Sequence, residues 1–512
     1  MQSSTLRIPS TRALWLVLGL TLAVVSGFII LRAPTPINLA IFPGIAFGLA
    51  LVFVPWLGPL FLALSVPVQQ FGSVSMGGVG LTATKVALAS SFAALLVQIL
   101  SRRDSLRGSI LFVPYLAWFG AMMLSLHGAV DMHAGLAELY RWGVTLFALT
   151  LALYGIRSGR AIIFTSVAMG LGVMFEGLLG VVQSIKDIGP SSFAVTSSVS
   201  RAYGTFGKPN TFAAYFELTG PLLAALSIWS LRRAYRGLSS YRLERRTGME
   251  TSALRRHELV WFTALTLWFG FSSVISLAAI VASFSRGAWL GTGAAIAIML
   301  IISDRRGALA VGALAVIVVL GGLAGGGSYA PAALKGRFQQ LESQVRFFDS
   351  RDILVTDANF AAVERMAHWQ TGIAMFDAHP FTGVGIGNFN ARFTEFAVNP
   401  QFTISEGHAH NYYINAAAET GVVGLATYVW LILTGFWVSV RAVRRSKSDL
   451  GRAVGVGAVG VTTALMVHNV VENLHVLNLG VQLSIVWALA IIVTRFLPDE
   501  PVSINSKELA GA

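Results

Sequence analysis

Histidine, arginine and asparagine gather in three short polar segments of this chain, each set against long apolar runs. The first reads Arg201-Ala-Tyr-Gly-Thr-Phe-Gly-Lys208-Pro-Asn210, and the second reads Ser283-Phe-Ser-Arg286-Gly-Ala-Trp289-Leu-Gly291. The third is His408-Ala-His410-Asn411-Tyr412-Tyr413-Ile-Asn415, continuing through Glu419-Thr-Gly421-Val-Val-Gly424. Upstream of it lie Glu364-Arg365, Trp369, His379-Pro380 and Gly383-Val-Gly385-Ile-Gly387. Imidazole exchanges a proton near neutral pH. Arginine offers a planar, permanently charged fork that pairs oxyanions two bonds at a time. A constellation of these types is suited to proton transfer beside an anion.

The elements that must position these groups are membrane helices. Of 512 residues, 55% are hydrophobic and only 12% are charged, against roughly a quarter charged in a soluble protein. Apolar runs such as 13–31, 259–282 and 308–323 approach or exceed the about 20 residues that cross a hydrocarbon core. They are continuous and do not alternate with period two, so they read as helices and not as barrel strands. The net charge of +13 does not indicate nucleic acid, because the basic residues lie in short blocks between apolar runs, as topology signals do. With no cysteine in the chain, disulfide and thiolate chemistry are excluded.

Candidate spans fall at 13–31, 37–66, 79–100, 110–126, 136–156, 161–182, 211–230, 259–282, 287–302, 308–323, 421–440, 454–471 and 477–494. Basic segments at 7–12, 102–107, 157–160, 232–256 (eight arginines), 305–306 and 441–452 are assigned to the cytoplasm by the positive-inside rule. The block 37–66, interrupted by Pro43, Pro55 and Pro59, contributes two crossings or none, since one crossing would invert every later loop. The expectation is therefore an all-α polytopic membrane protein of 12–14 transmembrane helices, with both termini cytoplasmic. It divides into membrane helices over 1–323, a large extracytoplasmic loop over 324–415, further membrane helices over 416–496 and a cytoplasmic tail over 497–512. Within the loop, 332–348 and 359–377 read as amphipathic helices. All three polar segments then fall on the extracytoplasmic side.

On those residues the chain resembles the O-antigen ligase superfamily of membrane glycosyltransferases. That family's signature is a His followed by Asn, Ser or Gln, then nine residues, Gly, two residues and Gly; His410-Asn411 and Gly421-Val-Val-Gly424 match it position for position. Arg286-Gly287 and the Pro-Phe-x-Gly-x-Gly stretch at 380–385 are also similar to the family, and the resemblance spans about 172–476. It implies a GT-C-like helical fold in the cytoplasmic (inner) membrane with a periplasmic active site. The implied donor is an undecaprenyl-pyrophosphate-linked glycan, and the implied acceptor is a hydroxyl of a glycan or of lipid A-core. In that setting His410 is the expected base for the acceptor hydroxyl, since nearby guanidinium groups favour a neutral imidazole. Arg201 and Arg286 are expected to meet the pyrophosphate, with Lys208 and Arg365 next, while His408, Asn411 and Tyr412 bind or position substrate. Inversion at the anomeric carbon follows from attack opposite the leaving group.

No metal or other cofactor is expected. Zinc on His408 and His410 would need further ligands from His368, His379 or carboxylates that stand at no recognisable spacing. The three glycines of 383–387 lack a preceding strand and read as a closely packed turn, not as a phosphate cradle. Glu176, Glu217 and Lys85 fall in or near spans, where ionisable residues either function or pair within the bundle. The arginines of 232–256 read as an anchor to anionic lipid. Two rival functions stand beside the ligase. A polymerase or a protein-glycosylating transferase shares the signature. A transporter of an anionic substrate belongs to a different class and predicts internal repeats and a midplane site.

Overall fold

The computed structural model describes residues 48–69, 74–76, 79–102, 107–196, 199–247, 253–313, 347–351, 353–356, 359–405 and 407–495. The expected spans at 13–31 and most of 308–323, the amphipathic stretch at 332–346 and the tail 497–512 lie outside these residues. The described chain is almost entirely helical. In order come α1 (Leu57–Ser65), α2 (Ala83–Arg102), α3 (Phe112–Ser125), α4 (Met132–Gly155), α5 (Gly159–Ile185), α6 (Pro209–Glu217) and α7 (Gly220–Arg246). Then follow α8 (Ala253–Ala282), α9 (Arg286–Ser303), α10 (Phe360–Ala378), α11 (Phe389–Phe396), α12 (Tyr412–Arg445), α13 (Asp449–His468) and α14 (Gly480–Arg495). Two small antiparallel hairpins, Val74–Met76 with Val79–Leu81 and Ala194–Thr196 with Val199–Ser200, are the strands among the described residues. Eight described helices are long and apolar enough to cross a membrane, so the chain is an all-α polytopic membrane protein.

Helix boundaries follow from caps and prolines. Asp131, Ser158 and Ser448 each accept a backbone N–H from the first turn of α4, α5 and α13, which satisfies donors a helix start leaves open. The sequence expects one span at 211–230, whereas the chain breaks between α6 and α7 at Leu218 and Thr219. Pro221 explains the break, because it lacks an N–H and disfavours helical geometry in the residue before it. A second interruption, at Val54–Trp56 before α1, falls in the proline-broken block. The basic stretch expected as a loop at 232–256 is instead mostly helix, with α7 running to Arg246 and α8 starting at Ala253. Its arginines and leucines are good helix formers, and Arg255 pairs with Glu244 across the turn at 2.8 Å.

Four helix pairings position the polar segments. α9 lies along α13, α13 lies along α7 and α12, and α10 lies against α12. The core at the α12 end is aromatic. Trp118, Trp142, Tyr412, Tyr428 and His475 pack with ring centroids 4.5–6.3 Å apart, an arrangement that adds to simple area burial.

Candidate active site

The signature segment is a helix start. Asn411 caps α12, its Oδ1 accepting from Tyr413 N at 3.0 Å and Ile414 N at 3.1 Å. His410 immediately precedes the cap with φ of 52°, a left-handed conformation uncommon outside glycine and asparagine. It is held there from several directions. The His410 N–H donates to Nδ1 of His408 at 3.1 Å, its carbonyl accepts from Trp369 Nε1 at 3.3 Å, and Tyr412 N donates to Asn469 O at 2.8 Å. Such local strain persists only where the surroundings over-determine it.

Further along, Gly421 adopts φ 65° and ψ −167° inside α12, a region open essentially to glycine alone. A Cβ there would stand 2.2 Å from the Phe381 carbonyl carbon. The 380–387 turn docks on this kink: Val384 N donates to Ala418 O at 2.9 Å, Gly385 N to Glu419 O at 3.0 Å and Val422 N to Pro380 O at 2.8 Å. Glu419 Oε1 also accepts from Phe389 N at 3.0 Å. Added side chains at Gly383, Gly385 and Gly387 would collide with Glu419, Ala129 and Ala134. This is the closely packed turn the sequence suggests.

Around His410 the organising group is Glu472, in the turn between α13 and α14. Its Oε1 lies 3.4 Å from His408 Nε2 and 3.5 Å from His410 Nδ1. Its Oε2 accepts from Asn210 Nδ2. Asn210 in turn accepts from Arg201 Nη2 at 2.9 Å, and Arg201 Nε donates to Ser283 O at 2.9 Å. One chain of contacts thus joins all three polar segments. His368 completes the ring cluster, its centroid 5.3 Å from that of His410, and His408 lies 4.6 Å from His410 on another side.

Electrostatics follow from burial. Removal from water draws His408 down from 6.5 to about 3; Glu472 opposes this, while His410, Lys208 and His368 add to it. Because His408 Nδ1 accepts a backbone N–H, the proton of its neutral ring belongs on Nε2, facing Glu472. Burial alone would raise Glu472, but the close approach of His410 and the charges of His410, His408 and His468 outweigh it and hold the carboxyl well below its ordinary value. Burial also draws Arg365 down, with Glu472 and Glu364 pulling the other way. Nε and Nη1 of Arg365 and both ring nitrogens of His410 are buried without a hydrogen-bond partner among the described residues.

The sequence-chosen residues are therefore brought together unevenly. His408, His410, Arg365, Lys208 and Arg201 converge on Glu472 directly or through one neighbour. Arg286 opens α9, next to Gly287, whose missing side chain leaves room for His468. Two more of these residues have structural roles. Tyr412 is 5% exposed and packs on Tyr428 and His475. The side-chain oxygen of Asn411 is already used as the helix cap.

Glu472 escaped the sequence reading. Its signal is a lone carboxylate between two apolar runs, in a turn on the same side as the three polar segments. Glu176 and Glu217 also have partners. Glu176 accepts from Thr205 N at 3.0 Å and Thr205 Oγ1 at 2.7 Å, and Glu217 contacts His468 Nδ1. His408, His410 and Glu472 are the metal-ligand set among the described residues, with ligating atoms within 4.8 Å of one another. Lys208 and Arg365 beside them oppose a cation and suit an anion.

Residues 271–429 match the family model described as O-antigen ligase. This part of the chain is similar to that family. No curated protein matches the chain. The O-antigen ligase match begins inside α8 and ends inside α12. It therefore includes Arg286, α10, the 380–387 turn and His410. Glu472, Arg201 and Lys208 lie outside the matched residues, so the cluster is completed from both flanks of the match.

Proposed function

We propose that this protein is a metal-independent, inverting glycosyltransferase. It moves glycan from an undecaprenyl-pyrophosphate donor to an acceptor hydroxyl at the periplasmic face of the inner membrane, in the manner of O-antigen ligases. The observation that carries this reading is the convergence of two histidines, a buried carboxylate and several cations on one point at the ends of α6, α12 and α13. His410 accepts the acceptor proton on Nε2, and the Glu472 carboxylate, 3.5 Å from Nδ1, favours the tautomer with the proton on Nδ1, the orienting arrangement that makes an imidazole an effective base. As the acceptor oxygen bonds to the anomeric carbon, the bond from that carbon to the pyrophosphate oxygen breaks. Arg286, Lys208 and Arg365 neutralise the departing pyrophosphate. Arg201 spends Nε on Ser283 and Nη2 on Asn210, so its first task is to fasten the loops that carry these groups.

Polymerisation of lipid-linked repeat units is the same chemistry with a different acceptor. A transport reading is less well served, because the polar groups meet at helix ends and not at the centre of the bundle. The test is a deletion strain complemented with the wild type, His410→Ala or Arg286→Ala and assayed for surface polysaccharide. Loss of glycan from lipid A-core with accumulation of lipid-linked donor supports ligation. Collapse of long chains to single repeats supports polymerisation. Normal glycan with both variants defeats the catalytic assignment.

A further inference from the structure

An open, cavity-like groove of about 770 Å³ lies between α7, α8, α9 and the start of α13. Its walls are apolar, with Ala224, Ile228, Leu277, Ile296 and Met299 among them. At one end stands Glu217, the partner of His468. At the other end are Arg232, Arg236, Arg306 and Arg452 with Asp304 and Asp449.

The two ends are far apart. α9 begins beside the His410 site at Arg286 and finishes at Ser303, while α13 begins at Asp449 and returns to His468. An 18-residue helix such as α9 is about 27 Å long at 1.5 Å per residue, close to the about 30 Å of a hydrocarbon core. The basic end is thus at the opposite membrane boundary from the histidines.

Charge at that end does not cancel. Arg236 pairs with Asp449 at 2.8 Å, and Asp304 Oδ1 caps a helix start by accepting from Gly307 N at 2.7 Å. Both carboxylates are therefore engaged. The side chains of Arg232, Arg306 and Arg452 are exposed and, among the described residues, make no hydrogen bond or ion pair. Three unpaired guanidinium groups at the mouth of an apolar cavity match a phosphate joined to hydrocarbon chains: the forks pair the phosphate oxygens, and the chains take the place of bilayer contacts along the walls.

We propose that this cavity binds an anionic phospholipid of the cytoplasmic leaflet, its phosphate on Arg232, Arg306 and Arg452 and its acyl chains between α7, α8 and α9. A polyprenyl donor with its pyrophosphate near Arg286 would have its head at the wrong end for these arginines. The site is separate from the glycosyl-transfer reading and stands or falls without it.

The test uses the full chain, purified and examined by native mass spectrometry after exposure to phosphatidylglycerol, phosphatidylcholine or undecaprenyl phosphate. Two variants probe different features: Arg232→Gln/Arg306→Gln/Arg452→Gln removes the charge, and Ala224→Phe fills the apolar wall. The wild type should retain phosphatidylglycerol in preference to phosphatidylcholine. The triple variant should bind it roughly a hundredfold more weakly, given the attraction of each arginine for an anionic lipid surface. Ala224→Phe should lose it with all arginines in place. Equal retention of the two phospholipids, a preference that survives both variants, or displacement of phosphatidylglycerol by undecaprenyl phosphate would overturn the proposal.

Discussion

Oε1 of Glu472 lies 3.5 Å from Nδ1 of His410. The separation is slightly longer than a good hydrogen bond. It connects the turn after α13 to the residue that precedes the α12 cap, two points more than sixty positions apart in the chain. A carboxylate so placed selects the Nδ1–H tautomer and leaves Nε2 as the acceptor. Glu472→Gln keeps the shape and removes the charge. Glycan transfer by this variant should fall by about 10²–10⁴-fold, the usual span for a general base, with KM little changed and the protein still folded by circular dichroism. A near-normal kcat would remove Glu472 from the proposed machinery.

Gly421 should be indispensable for folding. Alanine there is forced into a glycine-only conformation, costing of order 1–3 kcal/mol, and must also push back the Phe381 backbone. Gly293 in α9 is a fair control, because a Cβ there meets nothing within 4 Å and alanine favours a helix interior by up to about 1 kcal/mol. Thermal melting in detergent should show Gly421→Ala well below the wild type and Gly293→Ala at or above it.

Asn411 acts through the start of the helix. Asn411→Ala should cost about 1 kcal/mol of stability, and Asn411→Ser should recover most of it. Activity should follow the melting temperature across both variants. A serine variant that is stable yet inactive would show that the asparagine amide has a separate duty toward substrate.

Much of this was legible in the sequence, for identifiable reasons. Continuous apolar runs gave the helices, and the spacing from His410 to Gly424 carried the family resemblance. The amphipathic stretch expected at 359–377 is α10, Phe360–Ala378. The break between α6 and α7 was missed because apolar periodicity continues straight through Pro221. The span expected to begin at 421 begins at Tyr412, since the first turns of α12 carry the polar residues that a hydropathy window rejects. Glu472 was invisible for a different reason: only the packing of α13 against α12 and α9 brings it to the histidines. Tyr412 looked like a surface aromatic because its neighbours in sequence are polar, while its neighbours in space are Tyr428 and His475.

Stability should depend on pH through two buried histidines. Burial draws His408 and His475 from 6.5 to about 3, so the folded state binds fewer protons than the unfolded state between those values. Stability is then complete above about 6.5 and declines as pH falls toward about 3, at up to about 1.4 kcal/mol per pH unit for each histidine. Melting temperatures measured across that range should flatten in His475→Gln, whose parent ring shares a 2.8 Å hydrogen bond between Nε2 and Tyr428 OH. An unchanged slope in the variant would mean that other groups carry the acid sensitivity.

The most direct measurement reconstitutes the purified protein in proteoliposomes with an undecaprenyl-pyrophosphate-linked glycan and an acceptor, and follows glycan transfer together with release of undecaprenyl pyrophosphate. With His410 as the base, the wild type should transfer and release in step, and His410→Ala should lose at least about 10²-fold of both while remaining folded. Transfer by His410→Ala at the wild-type rate would contradict the account.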